Sequence, residues 1–207
     1  ADNLVPDTVS TNHRLYQGPA GSGSAVFSCF AKSTGYGWLQ VRVGAGGGTV
    51  VFVNFDVING TVGNVFASVG ASSPAQSIIP VGNGWFRCVF SMTGLPVFTT
   101  VIMPRNNNAT TEGEAFAGNG TDGIAVWGTQ LESGVSFPTS YIPTTSASAT
   151  RSADVCQITG TDFSSFWNGV EGSFAVEYDR LGFDIAKESE VFQATNSSGT
   201  NQFYLNA

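Results

Sequence analysis

Tyr36 and Trp38 are the residues whose type and setting best suit the binding of a ligand. They stand in the segment TGYGWLQ, flanked by glycines at the expected entrance to a strand. Apolar faces of sugar rings stack on exposed aromatic rings, and loops carry a disproportionate share of binding residues. We therefore predict that Tyr36 and Trp38 contact a carbohydrate. Trp85 and Trp127 adjoin or lie within apolar segments and are expected to be structural.

Acid–base catalysis has few candidate residues in this chain. Glu112 and Glu114 stand two positions apart in a polar loop, and Glu188 and Glu190 repeat this spacing. Both pairs are expected to face solvent, because neighbours in a loop neither raise a carboxyl pKa nor hold the fixed separation of a glycosidase pair. His13 is the only histidine and has no Gly-x-Ser-x-Gly motif near it. We therefore predict that the protein is not an enzyme.

The candidate metal ligands are all oxygen donors. A single histidine argues against a zinc centre or another transition-metal centre. Calcium instead takes carboxylate and carbonyl oxygens, and jelly-roll binding modules often hold such an ion between an N-terminal strand and the last strand. Asp2, Asp122 and Glu132 are the candidate ligands of a structural calcium ion, and no other cofactor is expected.

The composition excludes several classes of protein. Charged residues make up 11% of the 207 residues, against about 25% in an average domain, which excludes a coiled coil. The net charge of −7 argues against sequence-independent binding to nucleic-acid phosphates, so no nucleic-acid partner is expected. The chain contains no run of about 18 apolar residues, so no membrane insertion is expected either.

Short apolar segments rich in Val, Phe and Ile, each closed by Gly, Asn or Pro, dominate the chain. This punctuation is typical of β-strands. The pair Asn59–Gly60, between two β-branched stretches, predicts a tight hairpin turn. The clearest runs are 25–32, 38–43, 49–56, 76–80, 85–92, 98–103 and 123–131. Seven short strands in this part of the chain predict an all-β sandwich.

Alternation within two of these strands predicts which side chains are buried. One face of the first run carries Phe27, Cys29 and Ala31, and one face of the run 85–92 carries Phe86, Cys88, Phe90 and Met92. Cys29 and Cys88 are therefore expected to be core thiols. With Cys156 they make an odd number at wide spacing, which suits neither a disulfide framework nor a zinc site.

A proline-containing segment marks a predicted domain boundary. Residues 136–152 include two prolines, no acidic residue and a half that is rich in Ser, Thr and Ala. Such a composition favours an extended connector over core structure. We therefore predict a β-sandwich over 1–135, an extended connector over 136–154 and part of a second β domain over 155–207. The last part holds only about fifty residues, too few for another complete sandwich.

Four segments together resemble a recurrent module of phage tail-fibre and head-spike proteins. They are FDVINGTVG (55–63), VGNGWFRC (81–88), GIAVWGTQLESG (123–134) and PTSYIPTTSASATRSAD (138–154). In that family a jelly roll similar to carbohydrate-binding modules is closed by a strand resembling Trp-Gly-x-Gln-Leu-Glu, and a Thr-Ser-Tyr-Ile-Pro-Thr connector follows. An Arg-x-Ala-Asp sequence then leads into a second domain, which is similar to laminin-G or concanavalin-like lectins. The segment GSFAVEYD (172–179) resembles the first strand of that domain.

The resemblance implies a non-enzymatic virion structural protein, a tail fibre or head spike, whose jelly roll attaches to host-surface polysaccharide. It also implies other virion subunits as partners, a homotrimer, and a place on the virion surface after assembly in the host cytoplasm. Two alternatives stay open: a purely structural capsid or baseplate module, and the accessory binding module of a tail-associated polysaccharide depolymerase. The shared positions are turn, core and connector residues, so this function is inferred from architecture alone.

Overall fold

The chain forms two antiparallel β-sheets of five strands each, packed face to face around one apolar core. A computed structural model describes residues 1–18, 21–45, 48–145, 147–152, 160–165, 168, 170, 190–195 and 202–206. The strands of the two sheets are, in chain order, β1 (Asp2–Leu4), β2 (Leu15–Gln17), β3 (Gly23–Thr34), β4 (Trp38–Gly44), β5 (Val50–Asp56), β6 (Thr61–Ala67), β7 (Gln76–Gly82), β8 (Trp85–Leu95), β9 (Thr100–Arg105) and β10 (Gly123–Ser133). This architecture confirms the predicted all-β sandwich.

The chain alternates between the two sheets in the manner of a jelly roll. The first sheet has the order β1-β10-β3-β8-β7, and the second has the order β2-β9-β4-β5-β6. Strands β1, β3 and β10 thus lie in one sheet while β2, β4 and β9 lie in the other, as in jelly-roll topologies. All seven predicted runs coincide with strands. Three strands have no predicted run of their own. Strands β1 and β2 contain only three residues each, and Gly63 and Asn64 interrupt the apolar sequence of β6.

Beyond the sandwich, the described residues form a short helix, α1 (Gly160–Ser164), and an antiparallel hairpin of β11 (Glu190–Thr195) with β12 (Gln202–Asn206). The chain divides into two compact units, and one boundary between them falls after Tyr141. The strands β11 and β12 confirm the strands that the sequence predicts at 190–193 and 202–205. The predicted strand at 172–178, Cys156 and Glu188 lie outside the described residues, so the second domain stays a prediction.

The core is built from the inner faces of both sheets, as alternation predicts. The β3 and β8 residues expected to be inside are buried, with Phe86 half-buried at the edge of the cluster. They pack against Leu39, Val41, Val43, Val51, Val53 and Phe55 of β4 and β5. Cys29 and Cys88 lie directly opposite each other as free thiols, and burial raises the pKa of Cys88 well above its usual value. The Cys88 thiol is therefore held in the protonated, unreactive form.

The outer face of the second sheet includes buried polar side chains that bind the loop 106–116. Gln40 of β4 and Asn54 of β5 are both completely inaccessible to solvent. The Gln40 amide donates to the Asn54 side-chain oxygen at 2.9 Å and accepts from the Gly113 backbone at 2.8 Å, while Asn54 donates to the Ala109 carbonyl at 2.7 Å. Buried amides need such partners, so the network fixes the covering loop (106–116) on the sheet.

Two buried arginines extend this polar layer and pair with glutamates of the loop. Arg42 Nε lies 3.0 Å from a Glu112 carboxylate oxygen, and Arg105 Nη2 lies 3.5 Å from Glu114. Both arginines are buried, and the Arg105 guanidinium also lies 5.4 Å from the Phe116 ring centroid. Glu112 and Glu114 are exposed to solvent, as predicted, and each also compensates the charge of a buried arginine.

The turn between β5 and β6 confirms the predicted hairpin at Asn59–Gly60. Gly60 has a φ of 69°, a left-handed conformation that favours glycine. Asp56 closes the turn by accepting hydrogen bonds from the backbone N–H groups of Ile58 and Asn59 and from the Asn59 side chain. Partial burial acts to raise the pKa of Asp56, but these hydrogen bonds outweigh it, so the pKa lies below the ordinary value of 3.8.

We expect Asp56→Asn to destabilise the protein by about 1 kcal/mol near neutral pH, since the introduced amide nitrogen would face the Asn59 donor. A depressed folded-state pKa stabilises the protein above the unfolded value and loses this effect as the pH falls through the folded value. The difference in the free energy of unfolding between the variant and the wild type should therefore decrease below pH 3.8. Urea unfolding at neutral and acidic pH measures this difference. A difference that is constant with pH would contradict the role of the Asp56 carboxylate in the turn.

Candidate functional site

An aromatic cleft lies on the outer face of the first sheet. Trp127 of β10 is directly opposite Phe30 of β3, with ring centroids 5.2 Å apart, and Trp85 at the start of β8 lines the same cleft. The aromatic cleft has a volume of about 320 Å³ and is lined by Ala1, Phe30, Val81, Gly82, Asn83, Trp85 and Trp127. Trp127 is 47% exposed, so it is not the buried core side chain that its apolar strand predicts.

A β-bulge in β10 sets the position of Trp127. The register with β3 shifts between Trp127 and Gln130, and Gly128 in the bulge has a φ of 61°. A Cβ at Gly128 would lie 3.0 Å from a Phe30 ring carbon and 3.6 Å from a Tyr141 ring carbon. Bulges bend a strand and re-aim its side chains. Glycine is thus required here both for the backbone conformation and for the close approach of two rings.

Tyr141 packs on Trp127 and brings the predicted connector onto the first sheet. The two ring centroids lie 4.9 Å apart. The Glu132 carboxylate accepts hydrogen bonds from the Thr139 backbone N–H at 3.0 Å and from the Thr139 hydroxyl at 2.6 Å, and Arg87 donates to the Thr139 carbonyl. Trp127 therefore packs against two aromatic rings of the protein, Phe30 and Tyr141, and these contacts restrain its ring.

Arg87 links the anchor of the connector to the aromatic cleft. It lies directly opposite Phe30 in the register of β3 and β8, and its guanidinium carbon is 5.6 Å from the Phe30 ring centroid. Burial lowers the pKa of Arg87 from its usual value, while the nearby Glu132 carboxylate opposes that shift. Arg87 therefore stabilises the ring and the connector together, and its charge is balanced by Glu132.

Tyr36 and Trp38, the predicted sugar-contacting pair, are not brought together in one site. Tyr36 is half-buried against the core and meets the Phe116 ring edge-on at 5.6 Å. Trp38 is also half-buried and lies on the opposite face of the sheet, because Leu39 after it points into the core. Its ring lies over β6, where a Cβ at Gly63 would collide with it. Neither side chain lines the aromatic cleft.

The three predicted calcium ligands are also placed apart. Asp122 precedes β10 and accepts a hydrogen bond from the Asn119 amide at 2.7 Å, whereas Glu132 lies near the far end of that strand and binds Thr139. At the rise of an extended chain, the two are about 30 Å apart. Asp2 lies opposite Val126. Within the described part of the chain, no three His, Cys, Asp or Glu side chains form a group suited to a metal ion. Calcium binding stays a prediction.

His13 takes part in a different cleft near the N-terminus. Its Nε2 lies 2.9 Å from the Phe116 carbonyl oxygen, and its Nδ1 lies 3.9 Å from an Asp7 carboxylate oxygen. This second cleft has a volume of about 310 Å³ and is lined by Asn3, Leu4, Val5, Pro6, Asp7, His13, Arg14, Leu15 and Pro104. It contains no Phe, Tyr or Trp ring, so it lacks the surface on which a sugar would stack.

No protein-family model and no curated protein matches this chain. Among the residues that the structure describes, no helix is both long enough and apolar enough to cross a membrane. The functional argument therefore rests on the geometry of the aromatic cleft.

We expect Gly128→Ala to destabilise the protein by more than about 1 kcal/mol, because a side chain there adds a ring contact to the strain of a left-handed backbone. Gly134→Ala is the matched control, since Gly134 has a φ of 75° but nothing within 4 Å of an added Cβ. Urea unfolding should show a larger loss for Gly128→Ala, and near-ultraviolet circular dichroism should change only in that variant. Equal losses with unchanged spectra would show that the rings tolerate the side chain.

Proposed function

We propose that this chain is a non-enzymatic carbohydrate-binding β-sandwich of a phage virion protein, a tail fibre or head spike, and that the aromatic cleft binds host-surface polysaccharide. One observation carries the proposal: the Trp127 ring is 47% exposed at a cleft although Phe30 and Tyr141 hold it in place. An immobilised, half-exposed indole beside a second tryptophan is the type of surface on which a sugar ring stacks through its C–H groups.

The rigidity of the aromatic cleft favours binding over a purely structural role for Trp127. A ring that is already fixed loses little conformational entropy when a ligand arrives, so more of the stacking energy appears as affinity. Trp85 and the turn residues Val81 to Asn83 give the cleft a second wall. At about 320 Å³ the cleft is at the small end of the range for ligand pockets, so it accommodates a short stretch of a longer glycan.

Weak binding at one cleft is compatible with attachment of a virus particle. Several copies of the sandwich, displayed side by side in the proposed homotrimer, would engage a repeating polysaccharide together and gain affinity through effective concentration. The location on a virion and the partnership with other virion subunits rest on the resemblance of the segments 123–134 and 138–154 to phage fibre proteins. The second of these segments supplies Thr139 and Tyr141, which anchor the connector on the sheet.

We expect Trp127→Ala to weaken glycan binding at least about tenfold, because the main stacking ring is lost. It should lower stability by only about 1–2 kcal/mol, since the ring is half-exposed. Glycan-array binding, host-cell binding and calorimetry on a recovered glycan measure the effect. Trp38→Ala is the control, because Trp38 is an equally large half-buried ring on the other sheet.

Three outcomes would overturn this assignment. Loss of binding in Trp38→Ala with full binding in Trp127→Ala would place the site where the sequence predicts it, at Tyr36 and Trp38. Silence of the folded, oligomeric wild type towards all glycans and host cells would favour a cleft that is covered by a neighbouring subunit. Cleavage of a capsular polysaccharide by the full-length protein would instead indicate the accessory module of a depolymerase.

A further inference from the structure

Lys32 places a positive charge at the wall of the aromatic cleft. It follows Phe30 by two positions on β3, and since Ala31 between them faces the core, Lys32 and Phe30 share the outer face. The Lys32 ammonium donates a 2.7 Å hydrogen bond to the backbone carbonyl of Asn83, which lines the cleft. Its methylene chain runs past the turn, so that a Cβ at Gly84 would lie 3.4 Å from Lys32 Cε.

The other cations of the sandwich are engaged elsewhere. Within residues 1–141 the chain has five Lys and Arg residues, at positions 14, 32, 42, 87 and 105. Arg42 and Arg105 pair with Glu112 and Glu114 on the second sheet, and Arg87 is balanced by Glu132. Arg14 lines the cleft near His13. Lys32 thus lies beside the aromatic rings and, among the described residues, has no carboxylate partner.

The acidic side chains of the sandwich leave Lys32 uncompensated. Asp7, Asp56, Glu112, Glu114, Asp122 and Glu132 each bond to the backbone, a polar side chain or an arginine away from Lys32. Asp2 precedes Leu4 by two positions on β1, and Leu4 packs against the core, so alternation turns Asp2 away from the outer face. Ala125, opposite Lys32 on β10, is too small to cover the ammonium.

We propose that the aromatic cleft selects saccharides that carry a carboxylate, such as a uronic acid unit, and that Lys32 is the specificity-determining residue. The inference rests on the proposed function of the cleft. A sugar ring stacked on Trp127 and Phe30 presents its ring substituents to the wall formed by Asn83, where the Lys32 ammonium lies. The ammonium has three donors and uses one for the Asn83 carbonyl, so it can also donate to a ligand carboxylate in a charge-assisted hydrogen bond.

The test compares oligosaccharides of uronic acids with their methyl esters, which keep the sugar rings and linkages but lack the charge. We expect the wild type to bind the free acids about fivefold more tightly than the esters, as for a partly exposed ion pair. This preference should narrow in about 0.5 M NaCl. Lys32→Gln should abolish the preference and Lys32→Arg should keep it. Arg14→Gln, which removes the same charge from a cleft without aromatic rings, should leave it unchanged.

The outcomes separate this inference from the proposed function. If free acids and esters bind the wild type equally well, or if Lys32→Gln retains the preference, the role of Lys32 is overturned while sugar binding at the aromatic cleft stands. Loss of the preference in Arg14→Gln as well would mean that only net charge matters, which also overturns it. If Trp127→Ala binds every glycan as the wild type does, the proposed function fails, and the inference about Lys32 fails with it.

Discussion

The packing of β3 and β8 against β4 and β5 is the interaction on which the other features of the sandwich depend. Phe27 and Phe90 meet across β3 and β8 with ring centroids 5.5 Å apart, and Phe55 of β5 reaches Phe90 from the second sheet at 6.4 Å. All three rings are completely buried. Because side chains alternate along a strand, burying these rings also dictates which residues face outwards. Phe30 and Arg87 on the first sheet, and Gln40 and Asn54 on the second, owe their positions to that constraint.

The outer faces of the two sheets differ in which segment of the chain lies against them. On the second sheet, the covering loop (106–116) shields the polar residues, and the Gln40–Asn54 network and two arginine–glutamate pairs bind the loop. On the first sheet, the connector reaches the face through Thr139 and Tyr141, and Trp127 stays 47% exposed. The aromatic cleft is therefore formed on the first sheet, beside the connector.

The aromatic cleft combines apolar stacking surfaces with a nearby ammonium group. Its rings contact one another within the protein, and Lys32 adds an ammonium group that has no carboxylate partner among the described residues. The whole chain is acidic, with a net charge of −7, so the charge of Lys32 is opposite in sign to the net charge of the chain. Such a contrast affects which ligands bind more than how tightly they bind.

The sequence by itself determined seven of the ten strands of the sandwich, the inner faces of β3 and β8, and the turn at Asn59–Gly60, because apolar periodicity and turn chemistry are local properties. The alternation of side chains also indicates which tryptophans face outwards, at the aromatic cleft. Ile124 and Val126 point inwards, so Trp127 points outwards. Trp85 lies on the less apolar face of its strand. Only the tertiary structure decided which side chains these residues contact. Tyr141 is 14 positions beyond Trp127 and reaches it through an irregular segment, while Glu112 and Glu114 find buried arginines on strands that their own loop covers. Contacts of this kind depend on how a loop folds back in three dimensions, and residue spacing along the chain carries no record of that path.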